Sequence, residues 1–125
     1  MVRARLLSAD GRDLASVELA TSSWTRARGL LGRSGLAPAH ALWLAPCRSI
    51  HTVGMRFAID VVFLDRDSRV VKVVPDMVAR RLCWGGWRAH GALEFAGGEA
   101  LRLGLAPGQT LHLRVAEGRD GGPAN

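Results

Sequence analysis

Short runs of strand-forming residues, each followed by a turn signal, succeed one another along most of this chain. They lie at residues 2–7, 14–19, 41–45, 49–52, 58–65, 69–74, 80–84, 91–95 and 110–115. Glycine, proline and aspartate residues separate them, as turns require. Many short strands at close spacing are typical of antiparallel sandwiches and barrels, whereas parallel sheets need long crossover helices. The chain is therefore predicted to be mainly β, as a jelly-roll-like antiparallel β-sandwich or a partly open barrel.

Two short helices are predicted beside the strands. In residues 22–32, Trp24, Ala27 and Leu31 recur on one helical face, after serines that can cap the first turn. Residues 99–103 are predicted to form one further helical turn.

The length of 125 residues fits a single domain, because domains usually contain about 50 to 250 residues. We expect the domain to occupy residues 1–116, and the glycine-rich, charged residues 117–125 to form a flexible tail. Hydrophobic residues make up 48% of the chain, which is enough for a stable core without disulfide bonds or bound metals. No apolar run reaches the roughly 20 residues that cross a bilayer, and the first residues lack the plan of a signal peptide. A cytoplasmic location without membrane association is therefore expected.

The formal net charge is +6, and arginine supplies nearly all of the positive charge, since Lys72 is the single lysine. Residues 80–88 place arginines beside Trp84 and Trp87 around a Gly-Gly pair. Such aromatic faces can stack on nucleic-acid bases or sugar rings while arginine contacts phosphate or hydroxyl groups. The favoured alternative is that both tryptophans cover an edge of the core, because no known nucleic-acid-binding motif supports the first interpretation.

Asp60 stands out because it lies on a face of the 58–64 strand that is otherwise apolar. A buried carboxylate needs charged or hydrogen-bonding partners, and we expect a cation. Arg28 is the arginine of the first predicted helix that is best placed to turn inward. His51 and Glu94 are also polar side chains in or beside apolar strand patterns. We predict that these four residues form one polar cluster under the helix.

Cys47 and Cys83 are too few for a disulfide framework, and we interpret both as buried thiols. Together with His51 and His90 they match the number of ligands that zinc takes, but their spacing differs from that of zinc fingers. We therefore predict no metal and no cofactor.

Four segments of the chain resemble those of the uncharacterised DUF192 family. The central segment, residues 49–65, reads SIHTVGMRFAIDVVFLD. The other segments are RGLLGR at 28–33, LEFAGG at 93–98 and GLAPGQ at 104–109. The chain departs from the usual family residues at Val53, Ala58, Ser68 and Gln109. The resemblance spans residues 14–115 and implies a compact β-sandwich with one or two short helices, but no activity.

The polar cluster leaves three interpretations open: a structural ion-pair network, a ligand pocket, or a catalytic site. We predict a non-catalytic module that binds a small polar or anionic ligand near Arg28, His51, Asp60 and Glu94, with Trp84 and Trp87 at the rim. The first alternative is binding of nucleic acid or another polyanion through residues 80–88. The second is a small hydrolase that uses Asp60 and Glu94 as paired carboxylates. The sequence leaves the oligomeric state open.

Overall fold

The structure, a computed structural model, describes residues 2–20 and 35–115 of the chain. In chain order the strands are β1 (Val2–Ser8), β2 (Asp13–Ala20), β3 (His40–Leu44), β4 (Ser49–His51), β5 (Ile59–Leu64), β6 (Val70–Met77), β7 (Leu82–Trp84), β8 (Gly91–Ala96) and β9 (Leu111–Val115). A short helix, α1 (Glu99–Arg102), precedes β9. Every predicted strand is present, and so is the helical turn predicted at 99–103. The helix predicted at 22–32 and the tail predicted at 117–125 lie outside the described residues.

Seven strands form one curled sheet, in the order β6-β5-β8-β3-β2-β1-β9, and β4 pairs with β7 in a small second sheet. The large sheet has the form of a half-barrel, which confirms the mainly β prediction. Its neighbouring strands are antiparallel except β2 and β3, which run parallel. This pair corrects the wholly antiparallel arrangement expected from strand spacing. Residues 21–39 connect the two strands. This connection is longer than the dozen or so residues that a parallel pair needs.

Apolar side chains pack on both faces of the large sheet. The first core includes Leu6, Val17, Val62, Phe95 and Leu111. The second core includes Leu42, Val61 and Phe63, together with Ile50 and Cys83 from the small sheet. All residues of β5 are buried, as predicted for a strand covered on both sides. The small sheet therefore covers the second core.

No helix within residues 2–20 or 35–115 is long and apolar enough to cross a membrane.

Candidate functional site

Backbone amides surround the carboxylate of Asp60, which is fully buried on β5. Its Oδ1 accepts hydrogen bonds from the N–H groups of Asp76 (2.8 Å) and Gly98 (3.0 Å), and its Oδ2 accepts one from Ala100 (2.7 Å). Gly98 and Ala100 lie at the start of α1, where backbone amides have no partner within the helix. Within the described residues the partners of this carboxylate are three backbone amides rather than a cation, and they meet its hydrogen-bonding requirement.

Glu94 lies on β8 and points to the opposite face of the large sheet from Asp60. In the register of β5 and β8, Asp60 lies opposite Phe95, whereas Glu94 lies opposite Val61. Paired residues share a face and successive residues alternate, so Phe95 and Val61 belong to different cores. The predicted single cluster is therefore wrong, and so is the carboxylate pair of the hydrolase alternative. Arg28 lies outside the described residues.

His51 ends β4 and lies on the outward face of the small sheet. Its neighbour Ile50 pairs with Cys83, and both contact the second core. His51 pairs instead with Leu82, and the alternation of side chains along β7 places Trp84 on the same outward face. His51 therefore shares a face with Trp84 and not with the buried carboxylate of β5.

Trp84 and Trp87 are exposed to solvent, by 47% and 78% of their surface. Their rings meet edge to face, with centroids 5.1 Å apart and an interplanar angle of 86°. The guanidinium carbon of Arg48 lies 6.0 Å from the centre of the Trp87 ring, within reach of a cation–π contact. The favoured interpretation of the tryptophans as a cover for the core is wrong, because β7 directs Trp84 outward and Trp87 follows in an exposed turn. We call the residues His51, Leu82, Trp84 and Trp87 the aromatic surface.

Gly85 allows the chain to turn directly over Phe63 of β5. A Cβ atom at this position would lie 2.4 Å from the Phe63 side chain and 2.9 Å from the Cβ of Ala89. The Gly85 N–H also donates to the Arg48 carbonyl at 2.7 Å. The turn is fixed to the second core.

A solvent-open pocket of about 270 Å³ adjoins the aromatic surface, and we call it the basic pocket. Its lining consists of Pro46, Cys47, Arg48, Arg66, Ala89 and His90. Two arginines and a histidine therefore line the pocket, and none of the described lining residues is acidic. The Nε of Arg48 donates to the Ala89 carbonyl at 3.1 Å, so its terminal nitrogens are not used in this bond. Because Arg48 also lies beside Trp87, it joins the basic pocket to the exposed rings.

Sequence reasoning missed Arg48, Arg66 and Thr52. Arg48 precedes β4 and Arg66 follows β5, and no local pattern indicates that the two meet. Thr52 is fully buried, and its Oγ1 donates to the Val78 carbonyl (2.6 Å) and accepts from the Arg81 N–H (2.8 Å). Thr52 thus fastens the end of β4 to the residues before β7. Strand alternation could have indicated this burial, because Thr52 follows the inward-facing Ile50 by two residues.

Both cysteines are half-buried thiols. The Cys47 Sγ donates to the Ser49 carbonyl at 3.2 Å. Burial raises the pKa of the Cys83 thiol above its ordinary value, which favours the unreactive thiol over the thiolate. Since Cys83 faces the second core and His51 faces outward, the set considered for zinc is not assembled. In the described part of the chain, no group of three or more His, Cys, Asp or Glu residues is placed to hold a metal ion.

Two solved structures share this fold. A protein of unknown function from Novosphingobium aromaticivorans DSM 12444 is 23% identical, with a TM-score of 0.74 over 90% of this chain and 84% of that one, which shows the fold alone. A Sinorhizobium meliloti 1021 protein, named "a putative transcription regulator", is 26% identical, with a TM-score of 0.75 over 90% of this chain and 92% of that one. Among curated proteins, no relative matches the chain.

The DUF192 family model, described as "Uncharacterized ACR, COG1430", matches residues 5–113. This match reaches from β1 into β9 and includes the central segment at 49–65 that carries His51, Thr52 and Asp60. It confirms the resemblance identified in the sequence. Because the match spans most of the chain, the protein belongs to the DUF192 family.

Proposed function

We propose that the protein is a non-catalytic module that binds single-stranded nucleic acid through its aromatic surface. The observation that carries the proposal is the exposed, edge-to-face pair of Trp84 and Trp87 beside the Arg48 guanidinium group. Nucleic-acid bases stack on such rings with little dependence on sequence, and arginine pairs with phosphate. The ligand belongs to the class that the sequence offered as its first alternative for residues 80–88.

The aromatic surface is both apolar and well anchored. Leu82 is 75% exposed beside the two tryptophans, and contiguous exposed apolar groups mark interaction sites. Thr52 and Gly85 hold the small sheet and its turn in place through buried hydrogen bonds and close packing. Rings that are positioned before the ligand arrives lose less conformational entropy on binding.

Positive charge surrounds the aromatic surface. Arg80, Arg81 and Arg88 are exposed in the segments next to the two tryptophans, and Lys72 Nζ donates to the Trp84 carbonyl at 2.8 Å. The whole chain carries a formal net charge of +6. A polyanion gains affinity here by releasing its counterions, whereas a neutral sugar does not. The charge therefore favours nucleic acid over a carbohydrate ligand.

The cleft predicted from the sequence has less support as the binding site. Asp60 uses both carboxylate oxygens on backbone amides, and Glu94 lies on the other face of the large sheet. The anionic ligand predicted from the sequence fits the basic pocket instead. The Sinorhizobium protein is named "a putative transcription regulator", and regulation of transcription is a function that involves nucleic acid. We propose that the protein acts in the cytoplasm, the location expected from the sequence.

The replacement Trp87→Ala tests the proposal with a short, fluorescently labelled single-stranded oligonucleotide. A stacked base contributes about 1 to 3 kcal/mol, so the variant is expected to bind roughly fivefold to a hundredfold more weakly in anisotropy titrations. Its melting temperature should stay close to that of the wild type, because Trp87 lies outside both cores.

Leu101→Ala is the matched control, since Leu101 is an apolar α1 residue that is 88% exposed and lies outside the aromatic surface. This variant should bind the oligonucleotide as the wild type does. The proposal fails if the wild-type protein does not bind the oligonucleotide, or if Trp87→Ala leaves the affinity unchanged.

A further inference from the structure

We propose that the basic pocket binds a terminal phosphate monoester, so that the protein prefers single strands with a phosphorylated end. For oligonucleotides, this inference rests on the proposed function of the adjoining aromatic surface. The pocket brings Arg48, Arg66 and His90 together from three separate segments of the chain. An anion is the ligand that such a set of groups recognises.

Bonds within the protein hold the Arg48 side chain and the backbone of His90 in place. Arg48 is fixed by the Ala89 carbonyl and by its position beside the Trp87 ring. The backbone of His90 is bonded on both sides, because its N–H donates to Leu64 (2.8 Å) and its carbonyl accepts from Cys47 (2.8 Å). These bonds fix one guanidinium group and the backbone that carries the imidazole before any ligand arrives.

The third group, Arg66, lies in the turn that follows β5. The neighbouring carboxylate of Asp65 accepts hydrogen bonds from the N–H groups of Asp67 and Arg69, each at 2.9 Å, through a single oxygen. These bonds hold Asp65 to the turn backbone, and Asp65 is not part of the pocket lining. Arg66 thus lines the pocket from this turn, and none of the described lining residues is acidic.

The charge and geometry of the pocket suit a monoester better than a diester. A phosphate monoester carries about −1.5 to −2 charges near neutral pH and offers three terminal oxygens. A phosphodiester inside a strand carries a single negative charge and offers two such oxygens. Two arginine forks can each bind a pair of phosphate oxygens, and the His90 ring can donate one more hydrogen bond.

The pocket is open to solvent and measures about 270 Å³, so a terminal phosphate group can enter it. Since Arg48 lies at both the pocket and the Trp87 ring, a phosphate in the pocket leaves the adjoining base over the aromatic surface.

The test compares three oligonucleotides of one sequence, carrying a 5′-phosphate, a 3′-phosphate or hydroxyl groups at both ends. Hydrogen bonds to charged groups predict that one of the two phosphorylated strands binds at least about tenfold more tightly than the hydroxyl strand. Arg66→Ala should abolish this preference, and Arg66→Lys should restore only part of it, because lysine lacks the bidentate fork. Arg3→Ala is the control for loss of one positive charge and should keep the preference. Arg3 is exposed on β1, outside the pocket.

Equal binding of all three strands by the wild type would overturn the inference, and so would a preference that survives in Arg66→Ala. If the wild type binds none of them, the proposed function fails, and inorganic phosphate decides the pocket independently. NMR signals of the His90 ring should then shift with added phosphate in the wild type and not in Arg66→Ala, while those of His40 and His112 stay in place. An unchanged His90 signal in the wild type would rule the pocket out.

Discussion

Asp60 fixes the beginning of α1 from a strand that lies far away in the chain. Its three amide donors follow it by 16, 38 and 40 residues. One oxygen bridges Asp76, next to the end of β6, and Gly98, before α1, while the other reaches Ala100. The carboxylate therefore ties β6 and α1 to β5, and its contribution is to the stability of the fold.

Asp60→Ala should destabilise the protein strongly, because it leaves three amide donors without their acceptor. Each such group costs about 1 to 3 kcal/mol, so the free energy of unfolding should fall by roughly 3 kcal/mol or more. Urea denaturation measures the loss. Asp67→Ala, at an exposed turn position, should change stability by less than about 0.5 kcal/mol. Equal urea midpoints for Asp60→Ala and the wild type would refute this role.

The sequence could predict the burial of Asp60 but not its partners. A carboxylate between Ala58 and Val62 on an apolar strand face has to be satisfied, and this follows from local alternation alone. The donors are backbone amides, which every residue carries, so no residue type identifies them in advance. The exposure of Trp84 and Trp87 was missed for a related reason, since large aromatic residues are usually assigned to the core unless the strand register is known.

Glu99 joins α1 to the residue before β3. Its carboxylate accepts two hydrogen bonds from the Arg102 guanidinium group (2.6 and 2.7 Å) and one from the Ala39 N–H (2.6 Å). The bonds from Arg102, followed by the one from Ala39, hold the pKa of Glu99 below its ordinary value despite its burial. The ionised form is therefore more favourable in the folded state than in the unfolded state.

Glu99→Gln should lower the free energy of unfolding at neutral pH, and the difference from the wild type should depend on pH. A lowered folded-state pKa gives a stabilisation that is fully present above the ordinary glutamate pKa of about 4.3 and is lost as the pH falls through the folded value. Urea denaturation between about pH 7 and pH 3 should show the two proteins converging below about pH 4. A difference that is constant over this range would contradict the assigned role of the charge.

The small sheet and the turn after it carry the aromatic surface on the second core. Ile50 and Cys83 face inward, and the turn at Gly85 lies on Phe63 of β5. The orientation of Trp84 and Trp87 therefore depends on how closely this turn approaches the large sheet. Glycine is required there because any side chain would occupy the space of the Phe63 ring.

Gly85→Ala should destabilise the protein by about 1 to 3 kcal/mol, as expected for overpacking of a filled core. The added Cβ would approach Phe63 to 2.4 Å, so either the ring or the turn must move. The variant should also bind single-stranded oligonucleotide more weakly. Gly35→Ala is the control, because a Cβ added there would meet no atom of the described residues within 4 Å. Thermal stability and affinity equal to those of the wild type would show that the turn is not fixed in this way.

The strands of this fold were predictable, whereas the direction of one pair was not. Alternation in β1 and β2, the turn at Asp10 and Gly11, and the apolar residues of β5 are local signals, and each corresponds to an observed element. The parallel pairing of β2 with β3 depends on the other strands of the sheet, which are distant in the chain. No local pattern encodes such a choice.

At the scale of the described molecule, the basic pocket differs in charge from another pocket, at the chain's first hairpin turn. The second pocket, of about 290 Å³, is lined by residues that include Asp10, Arg12 and Gln109. Asp10 is bonded to Ser8, and the Gln109 amide is bonded within the turn that begins at Gly104, so these polar groups have internal partners. The basic pocket instead places two arginines and a histidine beside exposed aromatic rings. The net charge of +6 is therefore expected to act on ligands at the basic pocket, next to the small sheet.

The most direct measurement is an NMR titration of the isotope-labelled protein with a short single-stranded oligonucleotide. The account predicts that the indole signals of Trp84 and Trp87, and the amide signals of β4, β7 and Arg48, shift together as the strand is added. The indole signal of Trp43, which packs against the first core, should not move. Shifts confined to the pocket around Asp10 and Gln109, or unchanged signals throughout the aromatic surface, would contradict it.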